Sequence, residues 1–270
     1  MNPPPFWGLE EGLSFMPMTF WDHLDELRGS LIKMVVAILI CTIVAFLFKD
    51  TLFSIILAPQ DNQFLTYRLL EEISSIILPE GISTIEMWNV QLINTGLAQQ
   101  FILHVKAAIC AGVLLTSPYL IYLLFHFISP ALYTHERKYA IRLVGSGYVM
   151  FILGVLLSYY LIFPLIFRFL GTYQVSEVVA NTVTIDSYMD TLMMTCLSMG
   201  IVFEIPVICW ILSRMGIINA RMMTHYRRHV IVALLIVAAI ITPTSDVFTL
   251  SIVAFPMWLL YEFSILIVRK

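Results

Sequence analysis

Six apolar runs divide this sequence, and they constrain its fold more than any other feature. They cover residues 31–48, 107–128, 143–167, 191–212, 230–242 and Val247–Val268. A bilayer's hydrocarbon core is about 30 Å thick and takes roughly 20 apolar residues of helix to cross. The second, third, fourth and sixth runs reach that length. The first is at the lower limit, with Lys33 near its start. The fifth has 13 residues, too few for an ordinary core, so it either re-enters from one side or thins the bilayer locally. The 270 residues are 60% hydrophobic and 12% charged, with mean hydropathy +0.89. Soluble domains carry roughly a quarter charged residues. An ordinary soluble enzyme, a disordered chain and a soluble domain with one anchor are therefore excluded. The expected fold is an all-α membrane protein of six transmembrane helices, a single polytopic domain over 1–270. A short fifth helix is expected, and the sixth is the second candidate for shortness.

Basic residues orient the spans. Eleven of the 15 Lys and Arg fall in connections on one side, from Arg28 and Lys33 to Arg269 and Lys270. Lys49, Arg68 and Arg168 fall on the other side, and Lys106 starts the second span. The excess of positive charge marks the cytoplasmic face and places both termini there. Residues 1–30 are then a cytoplasmic N-terminal segment. Residues 49–106 form a long outer loop with short helices around 64–78, and 168–190 a shorter one. No cleavable leader is expected, because about thirty mixed residues precede the first apolar run. Prolines 118, 164, 206, 243 and 256 predict kinked helices.

Net charge is −3, so bulk charge points to no nucleic-acid partner. Cysteines 41, 110, 196 and 209 lie in apolar runs without a CxxC pair. They are expected to be small buried hydrophobes, with no disulfide framework and no metal site. No cofactor is implied.

The segment before the first run has helical spacing. Thr19 is placed as its N-cap. Phe20, Leu24, Leu27 and Leu31 fall on one stripe, and Asp22, Asp25 and Glu26 on the other side. This amphipathic helix is expected along the membrane surface, where its acids suit a cationic partner.

Glu204 stands near the middle of the fourth run, just before Pro206. A charge at that depth costs at least about 2.5 kcal/mol, so it must face a partner, face a cavity or stay protonated. Pro206 frees a backbone carbonyl one turn earlier, around Val202. Glu204 is read as a docking point for a polar residue of a single-span partner helix, with a hydrogen bond inside this chain as the other solution. Glu262, near the end of the sixth run, is expected to snorkel or to pair with Arg269 or Lys270.

An enzyme is not expected. His135-Glu136 lacks the second histidine of HExxH, because position 139 is Tyr. Ser146 between Gly145 and Gly147, with His104 or His126 as base, fits helix packing better than catalysis. There is no Walker motif. The alternative function is a proton-coupled secondary transporter using Glu204, but the sequence shows neither a repeat nor an opposing intramembrane base.

His23-Leu24-Asp25-Glu26-Leu27-Arg28 resembles the HLxELR motif that opens the TatC family, the receptor and core subunit of the twin-arginine protein translocase. Phe127-Ile128-Ser129-Pro130-Ala131-Leu132-Tyr133 and His135-Glu136-Arg137 resemble its first cytoplasmic loop. Phe203-Glu204-Ile205-Pro206 resembles its fourth-span motif, and Thr242-Pro243-Thr244-Ser245-Asp246-Val247-Phe248 its last outer turn. The resemblance covers roughly residues 18–268. It implies that Glu26 and Glu136, with the nearby Phe127, bind twin-arginine signal peptides. It implies that Glu204, with Pro206 beside it, contacts single-span TatA/TatB-type subunits, and that Asp246 is the acid of the last outer turn. It further implies a homo-oligomer within a complex of the cell inner membrane, driven by the proton-motive force and passing folded proteins. Two departures stand out. The first outer loop is longer than the commonest form and carries Asn94-Thr95-Gly96-Leu97-Ala98-Gln99-Gln100-Phe101. Leu250 stands where relatives often have Gln.

The chemistry fits the implied ligand. A guanidinium presents a planar donor fork that a carboxylate matches and an ammonium does not. Losing one partner of such a pair costs around 2–5 kcal/mol when it is desolvated. A local pair of Glu136 with Arg137, Lys138 or Arg142 is the competing reading. A concave face built by kinked, partly short spans would hold the signal's apolar stretch.

Overall fold

A helix satisfies its backbone polar groups internally, which is what an apolar solvent demands. The computed structural model, which describes residues 20–77, 90–128, 140–173, 182–242 and 246–268, is built on that solution. Helix α1 (Phe20–Leu47) is a single helix of 28 residues. The expected surface-lying lead-in is therefore not a separate element. Gly29 costs only about 1 kcal/mol inside a helix, so the amphipathic stretch runs on into the apolar one. Thr19 lies outside the described residues.

The first long connection contains α2 (Lys49–Leu57), a 3-10 turn at Ala58–Gln60, α3 (Leu65–Ile77) and the two-residue strand β1 (Leu92–Ile93). Helix α4 (Gln99–Ile128) follows. Then come α5 (Ala140–Leu157), a wide π-helical turn at Ser158–Ile162 and α6 (Phe163–Thr172). Strand β2 (Val183–Thr184) leads into α7 (Ile185–Val202) and α8 (Ile205–Arg214). The chain continues through α9 (Ala220–His225), α10 (Arg227–Ile241) and α11 (Val247–Val268).

Among the described residues, five segments are long and apolar enough to cross a membrane: Leu27–Leu47, Gln99–Phe125, Leu143–Thr172, Ile185–Arg214 and Val247–Val268. Helix α10 has 15 residues, about 22 Å at 1.5 Å per residue, so the fifth apolar run is indeed short. The sixth is not. Helix α11 has 22 residues, about 33 Å, because Pro256 is absorbed inside it.

Each described proline in a span is accommodated differently. Proline lacks an N–H and clashes with the carbonyl four residues back. At Pro118 that carbonyl belongs to Leu114, and the Ser117 hydroxyl donates to it at 2.7 Å. At Pro164 the helix widens into the π-helical turn, and the Thr66 hydroxyl of α3 donates to the carbonyl of Tyr160. At Pro206 the helix breaks, with Phe203 and Glu204 between α7 and α8. Pro243 lies outside the described residues.

Helices approach through notches. A Cβ on Gly112 of α4 would collide with Thr42 of α1, and the Phe46 ring stacks on His104 at 4.0 Å. Moving up α1 from 42 to 46 is moving down α4 from 112 to 104, so the two run antiparallel. The start of α1 and the end of α4 therefore share one end of the molecule, called here the near end.

At the far end, tyrosines pin the first connection to the spans. Tyr67 is 1% exposed, and its hydroxyl lies 3.2 Å from the Pro59 carbonyl and 3.3 Å from that of Pro164. Tyr159 donates to Ile55 at 2.6 Å and Tyr188 to Ile56 at 2.9 Å. Burial pushes the Tyr67 phenol up from its ordinary range, against the pull of the Arg168 guanidinium. Strands β1 and β2 pair in parallel, Leu92 with Val183 and Ile93 with Thr184. Beneath the tyrosines, Leu103, Ala107, Phe163, Met189 and Leu192 form a buried cluster. A second cluster joins the π-helical turn, α6, α7 and α9 to α11 around Ile162, Met199, Val253 and Met257.

Candidate functional site

The near end carries the backbones of two of the three residues expected to recognise a signal. Glu26 lies in α1 and Phe127 in the last turn of α4, so the antiparallel pairing brings their backbones to the same end. Their side chains, and Glu136 altogether, lie outside the described residues. Asp25 and Arg28, close to Glu26 in α1, are exposed.

The broken fourth span is described in full. Glu204 occupies the N-terminal boundary of α8, but its side chain does not cap that helix. It turns instead toward α5. A Cβ on Gly147 would lie 3.1 Å from Glu204 Oε2 and 2.9 Å from the Phe125 ring. The absence of a side chain at 147 therefore makes room for the carboxylate. Both carboxylate oxygens are buried and, among the described residues, have no hydrogen-bond partner. Among the described residues, the internal hydrogen bond that would have made Glu204 a self-contained structural residue is not formed. A charge held without a partner in an apolar setting is costly.

Next to Glu204 lies an apolar groove of about 420 Å³. Its walls are Leu143, Ser146 and Met150 of α5, Pro206, Val207 and Trp210 of α8, and Phe263 and Ile267 of α11. Pro206 thus does two things: it breaks the fourth span, and it forms one wall of the groove. Val207 also belongs to a small buried cluster with Phe125 and Ile211.

The structure also places other residues singled out in the sequence. Asp246 caps α11. The Thr249 amide lies 3.1 Å from its Oδ2, and the Thr249 hydroxyl donates to Oδ1 at 2.6 Å. Glu262 pairs with Arg227 of α10 at 2.9 Å, while Arg269 and Lys270 lie outside the described residues. Ser146 donates to the Leu143 carbonyl at 2.9 Å and His104 stacks on Phe46, while the His126 side chain lies outside the described residues. Among the described residues the cysteines are free, with Cys196 buried and the other three half-buried, and no cluster of metal-ligating side chains occurs.

One site the sequence reading missed is the ion cluster of Lys106 with Asp186 at 3.3 Å and Asp190 at 2.9 Å, joining α4 to α7. The available signal was two aspartates four apart, hence on one helix face, and a lone lysine starting an apolar run.

The family model described as "Sec-independent protein translocase protein (TatC)" matches residues 22–256. A protein of that name from Blattabacterium sp. subsp. Periplaneta americana (strain BPLAN) is 35% identical over 252 residues, covering 93% of this chain and 94% of the relative. One from Aquifex aeolicus is 31% identical over 251 residues, covering 93% of each chain. A crystal structure described as the twin-arginine translocase receptor TatC superposes with a TM-score of 0.72 at 30% identity, over 91% of this chain and 97% of that one.

Proposed function

The chain belongs to the TatC family of Sec-independent protein translocase proteins, and on that premise we propose that it receives twin-arginine signal peptides through Glu26, Glu136 and Phe127. It is a translocase subunit, not an enzyme, and a multi-pass inner-membrane protein. Its single polytopic domain, residues 1–270, crosses the membrane six times, with α10 as the short fifth crossing. Both termini and the near end face the cytoplasm.

The observation that supports this reading is the shared end of α1 and α4, at which the backbones of Glu26 and Phe127 both lie. Two carboxylates there match the two guanidinium forks of an Arg-Arg pair, and Phe127 supplies an apolar face against them. The unpartnered Glu204 and its groove support a second contact. A single-span TatA/TatB-type subunit places a polar group against Glu204 and its apolar face along α5, α8 and α11. Copies of the chain assemble with these partners, and the complex passes folded cargo at the expense of the proton-motive force.

The test is equilibrium binding of an Arg-Arg signal peptide and its Lys-Lys twin to the purified chain at two salt concentrations. A preference of about tenfold or more, equivalent to about 1.4 kcal/mol, is expected. It should be lost in Glu136→Ala while the protein remains folded. Equal binding of both peptides, or normal binding by the variant, overturns the assignment.

A further inference from the structure

We propose that α3 is a membrane-surface helix, seated in the lipid leaflet at the far end of the spans through Leu65, Leu69 and Ile73. Three faces of this helix are distinct at 100° per residue. One faces the protein: Thr66 and Tyr67 are buried and bonded to Tyr160, Pro59 and Pro164. A second is charged and exposed, with Arg68, Glu71 and Glu72. The third is apolar and equally exposed, with Leu65 at 53%, Leu69 at 48% and Ile73 at 52%. A helix in water on the surface of a protein needs two faces. A third, apolar and unburied, suits a helix whose flank touches lipid while its charged face meets water.

Depth identifies the occupant. Helix α3 is bonded at Tyr160, which lies 17 residues beyond Leu143, the start of the third span. At 1.5 Å per residue that is about 25 Å along the span, inside the far boundary of a hydrocarbon core about 30 Å thick. The Phe64 ring, just before α3, stacks on Tyr160 at 5.6 Å with an interplanar angle of 11°. Tyr160 and its neighbours Leu156 and Leu161 are themselves exposed. The stripe on α3 thus continues the lipid-facing surface of the third span around a corner. A water-borne protein would have to reach it below the level of the headgroups.

The experiment uses the unmodified chain in vesicles of phosphatidylethanolamine and phosphatidylglycerol. A phospholipid bearing a carbene precursor on its acyl chain close to the glycerol is activated by light, and adducts are mapped by mass spectrometry. Adducts are expected on Leu65, Leu69 and Ile73, exceeding those on Arg68, Glu71 and Glu72 by about fivefold or more. A water-borne carbene precursor should give the mirror pattern. Labelling of Leu69 and Ile73 from water overturns the proposal. So does their silence toward both reagents while Leu156 and Leu161 are labelled from lipid, because that pattern means another protein surface, such as a second copy, covers the stripe.

Discussion

The hydroxyl of Thr66 in α3 donates a hydrogen bond to the carbonyl of Tyr160 in the third span, the carbonyl that Pro164 leaves without its helical donor. A residue 94 positions away in the chain thus completes the backbone of a membrane helix. Thr66→Val keeps the shape and removes the donor. It should lower unfolding stability by about 1–3 kcal/mol, read as a fall in the thermal midpoint in detergent. Thr66→Ser, which keeps the hydroxyl, should recover most of the loss.

Gly154 is a packing notch. A Cβ there would lie 2.5 Å from the Met199 carbonyl oxygen and 2.8 Å from the Phe203 ring. Gly154→Val should force α5 and α7 apart at a cost of about 1–3 kcal/mol or more. Gly145, on the same helix, has nothing within 4 Å of such a Cβ. Gly145→Ala should leave denaturant unfolding unchanged or slightly raise the midpoint, since alanine is the better helix former.

Glu204→Ala should reduce cross-linking between Trp210 or Phe263 positions and a single-span partner severalfold. It should leave Arg-Arg peptide binding within about twofold, or roughly 0.4 kcal/mol. Unchanged cross-linking would make Glu204 a residue of internal structure only.

Tyr67 gives the far end an alkaline limit. Burial raises its folded-state pKa above the unfolded value of about 10. Between those two values the unfolded chain has lost the proton and the folded chain keeps it, so stability falls as pH rises above about 10. Below pH 10 the contribution is fully present. Tyr67→Phe should show a shallower loss between about pH 10 and 11 than the parent chain in parallel thermal melts.

The spans were legible because an apolar run of sufficient length has few other solutions in a bilayer. The break at Pro206 and the short α10 were legible for similar local reasons: a missing N–H and a short run. The start of α4 was not. The apolar count began at 107, yet the helix begins at Gln99, because Asp186 and Asp190 satisfy Lys106 and Phe46 covers His104. Those partners come from other helices, and no local pattern announces them. Glu262 illustrates the same limit: its ion pair with Arg227 of α10 comes from helix pairing and is announced by nothing near it in sequence. The vacancy behind Glu204 depends on Gly147, whose significance appears only when α5 lies against α8. At the near end, α1 and α4 were both expected and successive crossings make them antiparallel, but the register of their contact rests on Gly112 meeting Thr42.

Strands β1 and β2 are two residues each, yet their place in the chain gives them leverage. Thr184 is followed at once by α7, and Ile93 precedes α4 by only five residues. Two crossings therefore hang from one crossbar, and the ion cluster of Lys106 with Asp186 and Asp190 bolts them a second time just below it. Sliding one crossing past the other by a single turn, about 5.4 Å, would require both fastenings to open together. Axial slip between α4 and α7 is thus opposed at the far end by two fastenings rather than one.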